Sequence, residues 1–342
     1  MNKEILWSDS LAARVFFLVS TAMVALFAGC VEDDPGRWVE VEAPTTGSLT
    51  GLWGFSSSEI YAVGSEYDAD TGAITGILLE YDGVDWSRSL EVEDCALSSV
   101  WGASSNELYA SGACVSPEGE EFGAVIVIGG DGFEKVEISA DRVGPLFGLG
   151  PEDVYVVSGV DVLRFDGSNS AVVWQGTPLV GEVGDVLFDL WGADGRMFVV
   201  GGEMYGGSAK TLVAEMAEGE WSRRVDDEIG VLRGIGGSGG RSVAVGVNRG
   251  CIGDDVGIVL ERKSSGWSTK RKLDLGWHED AWVGEDGEIM VIGQSPRIMR
   301  YSSGEWREMD CPTDQMLLDV WGVDGKLFAV GSNGAVIERV RD

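Results

Sequence analysis

One recurrence constrains this chain more than any other feature. A Trp-Gly pair is followed, after a short turn, by an aromatic and β-branched run that ends in glycine. Leu52-Trp53-Gly54 leads to Glu59-Ile60-Tyr61-Ala62-Val63-Gly64, and Val100-Trp101-Gly102 to Glu107-Leu108-Tyr109-Ala110-Ser111-Gly112. Leu190-Trp191-Gly192 leads to Met197-Phe198-Val199-Val200-Gly201, and Val320-Trp321-Gly322 to Leu327-Phe328-Ala329-Val330-Gly331. Weaker copies start at Leu146-Phe147-Gly148, Gly234-Ile235-Gly236 and Ala281-Trp282-Val283. Taking Trp53, Trp101, Phe147, Trp191, Ile235, Trp282 and Trp321 as anchors, the spacing runs from 39 to 48 residues. That is the period of a four-stranded propeller blade.

Each copy reads as four short strands, here called a to d. Strand a carries the anchor and strand b the run ending in glycine. Strand c is the next apolar run, as in Ile77-Leu78-Leu79-Glu80-Tyr81, and a glycine-bearing turn then leads to a Trp that opens strand d, as at Trp86, Trp221, Trp267 and Trp306. The seventh copy stops after its strand c at 335–340, whereas Gly36-Arg37-Trp38-Val39-Glu40-Val41 looks like a strand d without a blade. The expectation is an all-β fold: a seven-bladed β-propeller of four-stranded blades, its last blade closed by the N-terminal strand at residues 37–41. Such closure removes the open edges that invite aggregation. The domains expected are a signal peptide at 1–29, a tether at 30–36 and a single propeller at 37–342.

The start of the chain reads as an address. Residues 15–28 form an apolar run preceded by Arg14, shorter than the roughly 20 residues a spanning helix needs. The run ends in Leu26-Phe27-Ala28-Gly29-Cys30, which resembles the lipobox of bacterial lipoproteins. That resemblance implies lipidation (palmitate among the acyl chains) of Cys30, and Val31 after it implies passage to the outer membrane. In an exported chain Cys95, Cys114, Cys251 and Cys311 are disulfide candidates. The register of the repeats favours Cys95–Cys114, both on one face of blade 2; Cys251–Cys311 would require the loop near 251 to reach across a blade.

The Trp-Gly and Tyr-Ala-Val-Gly pattern on a lipoprotein, with an Asp82-Gly83-Val84-Asp85-Trp86 turn, resembles predicted surface lipoproteins of myxobacteria and their relatives. The c–d turns also resemble degenerate Asp-boxes of sialidase-type repeats, with only the Gly-x-x-Trp or Gly-x-Trp part kept. These resemblances imply a propeller and leave both its activity and the side of the outer membrane it faces open.

Composition then narrows function. Against 57 acidic residues stand 25 Lys and Arg, a formal charge of −32, so phosphate backbones are repelled and nucleic acid is not an expected partner. The single histidine, His278, takes the place of a Leu found at the same point in other repeats (Leu49, Leu97, Leu187, Leu317). It reads as a substitution near a strand end. Gly236-Gly237-Ser238-Gly239-Gly240 matches both the nucleophile-elbow and dinucleotide patterns, but it precedes a strand where both motifs need a helix. The aromatic anchors read as blade-to-blade core, not a sugar platform.

Variation between repeats is the functional signal. The b–c connections of blades 3, 6 and 7 are read as two or three residues, while blades 1, 2, 4 and 5 carry insertions at 65–75, 113–123, 202–210 and 247–257. Insertions confined to one face of a repeat array mark a binding face. The candidates there are Glu66, Tyr67, Asp68, Asp70, Glu118, Glu120, Glu121, Phe122, Glu203, Tyr205, Arg249, Asp254 and Asp255. Acidic groups with aromatics suit a cationic or envelope-protein partner. Asp68-x-Asp70-x-Gly72 offers hard oxygens to Ca²⁺ but lacks the later acidic ligand of an EF-hand loop, so no cofactor or metal is expected. The reading is a monomeric, non-catalytic binding or assembly scaffold, lipid-anchored at the outer membrane. The alternative is a glycan-binding lectin or a glycan-active enzyme of sialidase-like propeller type.

Overall fold

A computed structural model describes residues 35–342 apart from 131, 140–142, 182, 207, 239, 250–254, 264–265, 274–275, 294–295 and 342. The signal segment, Cys30, Cys251 and Asp254 lie outside the described residues, as do the side chains of Arg249 and Asp255. Gly36–Asp342 forms one compact unit. It consists of seven antiparallel four-stranded sheets, each in the order a-b-c-d. The last sheet joins Leu317–Val323, Lys326–Gly331 and Val336–Val340 to the N-terminal Arg37–Glu40, with Arg37 opposite Val340 and Glu40 opposite Ile337. The expected closure is therefore present, and the Val41 N–H extends it by donating to Val336 O at 2.9 Å.

The repeat motif follows from how blades stack. In blades 2, 4 and 6 the strand-a Trp lies over the glycine that follows the anchor position in the next blade. A Cβ on Gly148 would sit 2.4 Å from the Trp101 ring, and one on Gly237 would sit 2.5 Å from Trp191. The Trp opening strand d packs back on the preceding blade: Trp86 on Phe328 and Trp267 on Phe198, with ring centroids 5.3 and 5.7 Å apart. Both Trp86 and Trp267 are buried. Large aromatics so placed supply most of the contact between repeats that cannot bury their faces alone.

Blade 5 departs from the sequence reading. Ile235 pairs with Ala244 as Leu190 pairs with Val199, so Ile235 is the counterpart of Leu190, and Gly236 stands where the other blades have an aromatic. The reason is backbone proximity: a Cβ on Gly236 would fall 2.0 Å from Ala281 O of blade 6. The Gly236–Gly240 stretch lies in the a–b hairpin, where Ser238 pairs with Arg241, as the repeat reading requires.

The insertions also differ from expectation. In their described residues they are largely strand extensions that prolong the b–c hairpins. Beyond the glycine that ends the common part of strand b, blade 1 adds pairs down to Tyr67–Ile74, blade 2 to Val115–Glu121, blade 4 to Tyr205–Ser208 and blade 5 to Arg249–Asp255. Three or four extra pairs at ~3.3 Å per residue raise ribs of about 10–13 Å. In blade 3 the hairpin turns directly at Ser158–Asp161, and in blade 7 soon after Val330–Val336. By their strand bounds blades 6 and 7 each connect through four residues, 294–297 and 332–335, rather than two or three.

Candidate functional site: the hairpin face and the axial channel

The b–c hairpins and d–a connections share one end of the blades, the hairpin face; a–b and c–d turns occupy the opposite, turn face. The ribs of blades 1, 2, 4 and 5 all rise from the hairpin face. At the foot of the blade 2 rib the expected Cys95–Cys114 disulfide is present, with Cα atoms 4.0 Å apart. The two cysteines are register partners inside strands a and b rather than in the flanking connections. Cys311 is a free, half-buried thiol, its pKa raised mainly by burial, and its expected partner Cys251 lies outside the described residues.

The predicted binding residues divide in two. Glu66 is structural: Arg88 Nη2 donates to it at 2.6 Å and Thr45 Oγ1 at 2.6 Å. The Arg88 bond, ahead of that from Thr45, holds its carboxyl below the usual range. Phe122 faces inward, opposite Cys114, and packs into the core between blades 1 and 2. Asp68 folds its own turn, Oδ1 accepting the Asp70 and Thr71 N–H groups at 2.8 and 3.2 Å, while Gly72 takes φ +77°. The Asp68–Asp70–Gly72 pattern is thus an Asx-type turn. Among the described residues no three acidic, Cys or His side chains converge for a metal ion. Glu203 shares Arg223 with the buried Asp185, at 3.2 and 2.6 Å. Outward-facing are Tyr67 (67% exposed), Asp70, Glu118, Glu120, Glu121 and Tyr205. The hairpin face therefore offers exposed tyrosines on its paired ribs and exposed carboxylates at and near their tips.

A second feature lies on the axis, and sequence reasoning missed it. Three aspartates stand two residues before an anchor Trp: Asp189, Asp280 and Asp319. Each carboxylate reaches the next blade. Asp189 Oδ2 accepts from Ile235 N–H at 2.8 Å, Asp280 Oδ2 from Val320 N–H at 3.1 Å, and Asp319 Oδ2 from Leu52 N–H at 2.6 Å. The same position in other blades holds Gly51, Ser99, Pro145 or Gly234, so the signal is a partial repeat that a search for catalytic motifs passes over. The aspartates line a cavity of about 510 Å³ together with Trp53, Phe147, Trp191, Trp282 and Trp321. Trp53 meets Trp321 at 4.5 Å and Phe147 at 5.6 Å between centroids. The aromatic anchors thus converge around the axis and do not form a flat sugar platform. Burial raises the pKa of all three carboxyls; repulsion by Asp280 raises Asp189 and Asp319 further, to well above the ordinary range.

His278 and Glu288 are accounted for by packing. His278 is buried at the blade 5–6 contact over Gly257, whose absent Cβ would fall 2.1 Å from Nε2, and burial lowers its pKa to about 4. Leu97 sits over Gly76 in the same way between blades 1 and 2. Glu288 is buried and accepts from Arg339 at 2.6 and 3.0 Å, from Arg341 at 3.3 Å and from Arg300. Burial alone would raise its pKa, but the hydrogen bonds from Arg339 and Arg300 outweigh burial and hold it low.

No family model matches the sequence, and no curated protein matches it. Solved structures do. YCF48 bound to D1 peptide aligns with a TM-score of 0.63 at 15% identity, covering 90% of this chain and 98% of that one. YCF48 from Cyanidioschyzon merolae aligns at 0.61 and 14%, covering 89% and 99%. The WD40 β-propeller domain of Doa1 aligns at 0.57 and 11%, covering 90% and 97%. At such identities the likeness speaks to fold alone, and with the seven sheets and the shared last blade it establishes a seven-bladed β-propeller.

Proposed function

We propose that the protein is a non-catalytic scaffold, held in the outer membrane by a lipid on Cys30, that binds a protein partner through its hairpin face. The observation that carries this reading is the one-sidedness of the ribs, which rise on a single face of four blades. Repeat arrays place their binding surface where insertions gather, and rigid hairpins present side chains at lower ordering cost than loose loops. Support of a general kind comes from the similar structures, one of which is a propeller bound to a peptide. Topology adds an orientation. Arg37 pairs with Val340 at the turn-face end of the last blade. The seven residues from Cys30 to Gly36 span at most about 25 Å. A lipid on Cys30 would therefore join the propeller through the turn-face end of its last blade, the end opposite the ribs.

Two experiments test the two parts. Cys30→Ser should abolish metabolic labelling with a radiolabelled fatty acid and release the protein from membranes; unchanged membrane association would remove the anchor from the account. Replacing 68–73 and 116–120 by two-residue Asn-Gly turns should abolish crosslinking to envelope proteins in intact cells. Undiminished crosslinking would move the binding surface elsewhere.

A further inference from the structure

We infer that the notch above blade 3, between the ribs of blades 2 and 4, receives an extended segment of a partner protein in which Lys or Arg flanks apolar side chains. This deepens the reading of the hairpin face as a protein-binding surface and rests on it. Blade 3 has a b–c turn of only Gly159 and Val160, so the neighbouring ribs stand above it as walls. Between them runs the connection from blade 3 to blade 4, which presents Leu179 (49% exposed), Val180 (76%) and Val183 (54%) to solvent. With Tyr205 (49%) at the end of the blade 4 rib, this region holds four of the eight exposed large hydrophobic residues among those described.

The exposure is built. Thr177 N–H donates to Asp185 Oδ2 at 2.7 Å and Asp185 N–H returns to Thr177 O at 2.8 Å. Val180 N–H donates to Val183 O at 2.8 Å, and Gly176 N–H to Val160 O at 3.1 Å. Buried Asp185 pairs with Arg223, which also reaches Glu203 on the blade 4 rib, so the apolar connection is clamped to that wall. The opposite wall ends in Glu118, Glu120 and Glu121, all exposed.

Charge selects the occupant. A ligand must bury apolar surface on the valines and bring cations to the acidic wall. A second copy of this chain carries −32 and is repelled, and an anionic bilayer is repelled for the same reason. A basic and apolar strand of another protein meets both requirements, and a groove walled by hairpins suits an extended backbone.

The test uses the purified propeller and a short fluorescent peptide with lysines flanking a Leu-Val core, followed by anisotropy. A lysine peptide of equal charge without the apolar core, and a glutamate version, serve as controls. The core peptide should bind, and Val180→Ser with Val183→Ser should weaken it about tenfold, the equivalent of ~1.4 kcal/mol. Glu118→Gln with Glu120→Gln and Glu121→Gln should weaken it several-fold and flatten its salt dependence. These positions are exposed, and an unchanged melting curve confirms the variants' fold. Equal binding of the glutamate peptide, or affinity indifferent to the valine substitutions, would overturn the inference. Valine-dependent binding to lipid vesicles, or a valine-dependent dimer in sedimentation, would do the same. The parent reading is separated by crosslinking: if rib shortening abolishes partner capture and the valine substitutions do not, the notch is wrong and the face is right. If neither does, both fail.

Discussion

Blades 1 and 7 share the pairing of strands a and b up to one glycine and part company beyond it. In both, a strand-a leucine (Leu49, Leu317) pairs with a strand-b glycine (Gly64, Gly331) whose Cβ would meet the carbonyl of the residue before that leucine at 1.9 Å. Past that glycine blade 1 continues as a rib to Tyr67, whereas blade 7 turns back and is covered by the N-terminal connection, Gly334 N–H donating to Gly47 O at 2.6 Å. The inner part is under the constraint of ring closure, and the outer part is released from it. Stability should therefore respond to changes in the closing blades, and partner binding to changes in the ribs.

The largest effect should come from the closure. Glu288→Ala leaves Arg339 and Arg300 buried without their shared carboxylate, a situation that costs about 3–5 kcal/mol. Thermal melting should show a large drop, and a variant that melts like the parent would mean the cluster is solvated. Next is the disulfide at the foot of the blade 2 rib. Cys95→Ser with Cys114→Ser should cost ~3 kcal/mol by the loop-entropy relation, measured by denaturant titration against the oxidised parent, with the reduced parent expected to match the variant.

A smaller effect separates the axis from the rest by pH. Asp319 has its folded pKa raised, so the folded state holds more protons than the unfolded chain between the ordinary carboxylate range and that raised value. Stability from this group is complete in acid and is lost as pH rises through the window. His278, lowered to about 4, acts oppositely: its contribution is present above its unfolded value near 6.5 and is lost as pH falls toward 4. Asp319→Asn keeps an acceptor for Leu52 N–H and removes the acid, so its melting temperature should gain on the parent from pH 5 to pH 8. Parallel curves would refute the assignment. The smallest effect on stability should be that of the ribs, where shortening 68–73 changes folding free energy by no more than ~0.5 kcal/mol, the usual limit for exposed changes. A loss of several kcal/mol would show the rib to be part of the core.

The repeat made the fold legible because blade stacking reuses the same chemistry: a Trp over the next blade's glycine, as at Trp101–Gly148, Trp191–Gly237 and Trp282–Gly322, and in most blades a second Trp near the start of strand d. Where a blade breaks that chemistry, legibility fails. In blade 5 the aromatic is missing, and the repeat spacing points to Ile235 as its counterpart although Gly236 holds the place. The ribs read as loops because Gly, Asp and Glu weigh against strand on propensity, while pairing within a hairpin overrides it. Phe122 read as a surface residue for the same reason, although its alternation with Glu121 places it inward. The axial aspartates were visible as letters before three of the anchors, yet their meaning depends on convergence from blades 4, 6 and 7 around an axis no local pattern contains.

The central claim is that the ribs, and not the turn face, hold the partner. The direct measurement is site-specific photocrosslinking in intact cells, with the photoreactive residue placed at Tyr67 and Tyr205 on the ribs and at Val84 on the turn face, all exposed. The account predicts the same protein adduct from Tyr67 and Tyr205 and none from Val84. Adducts from Val84 alone would contradict it.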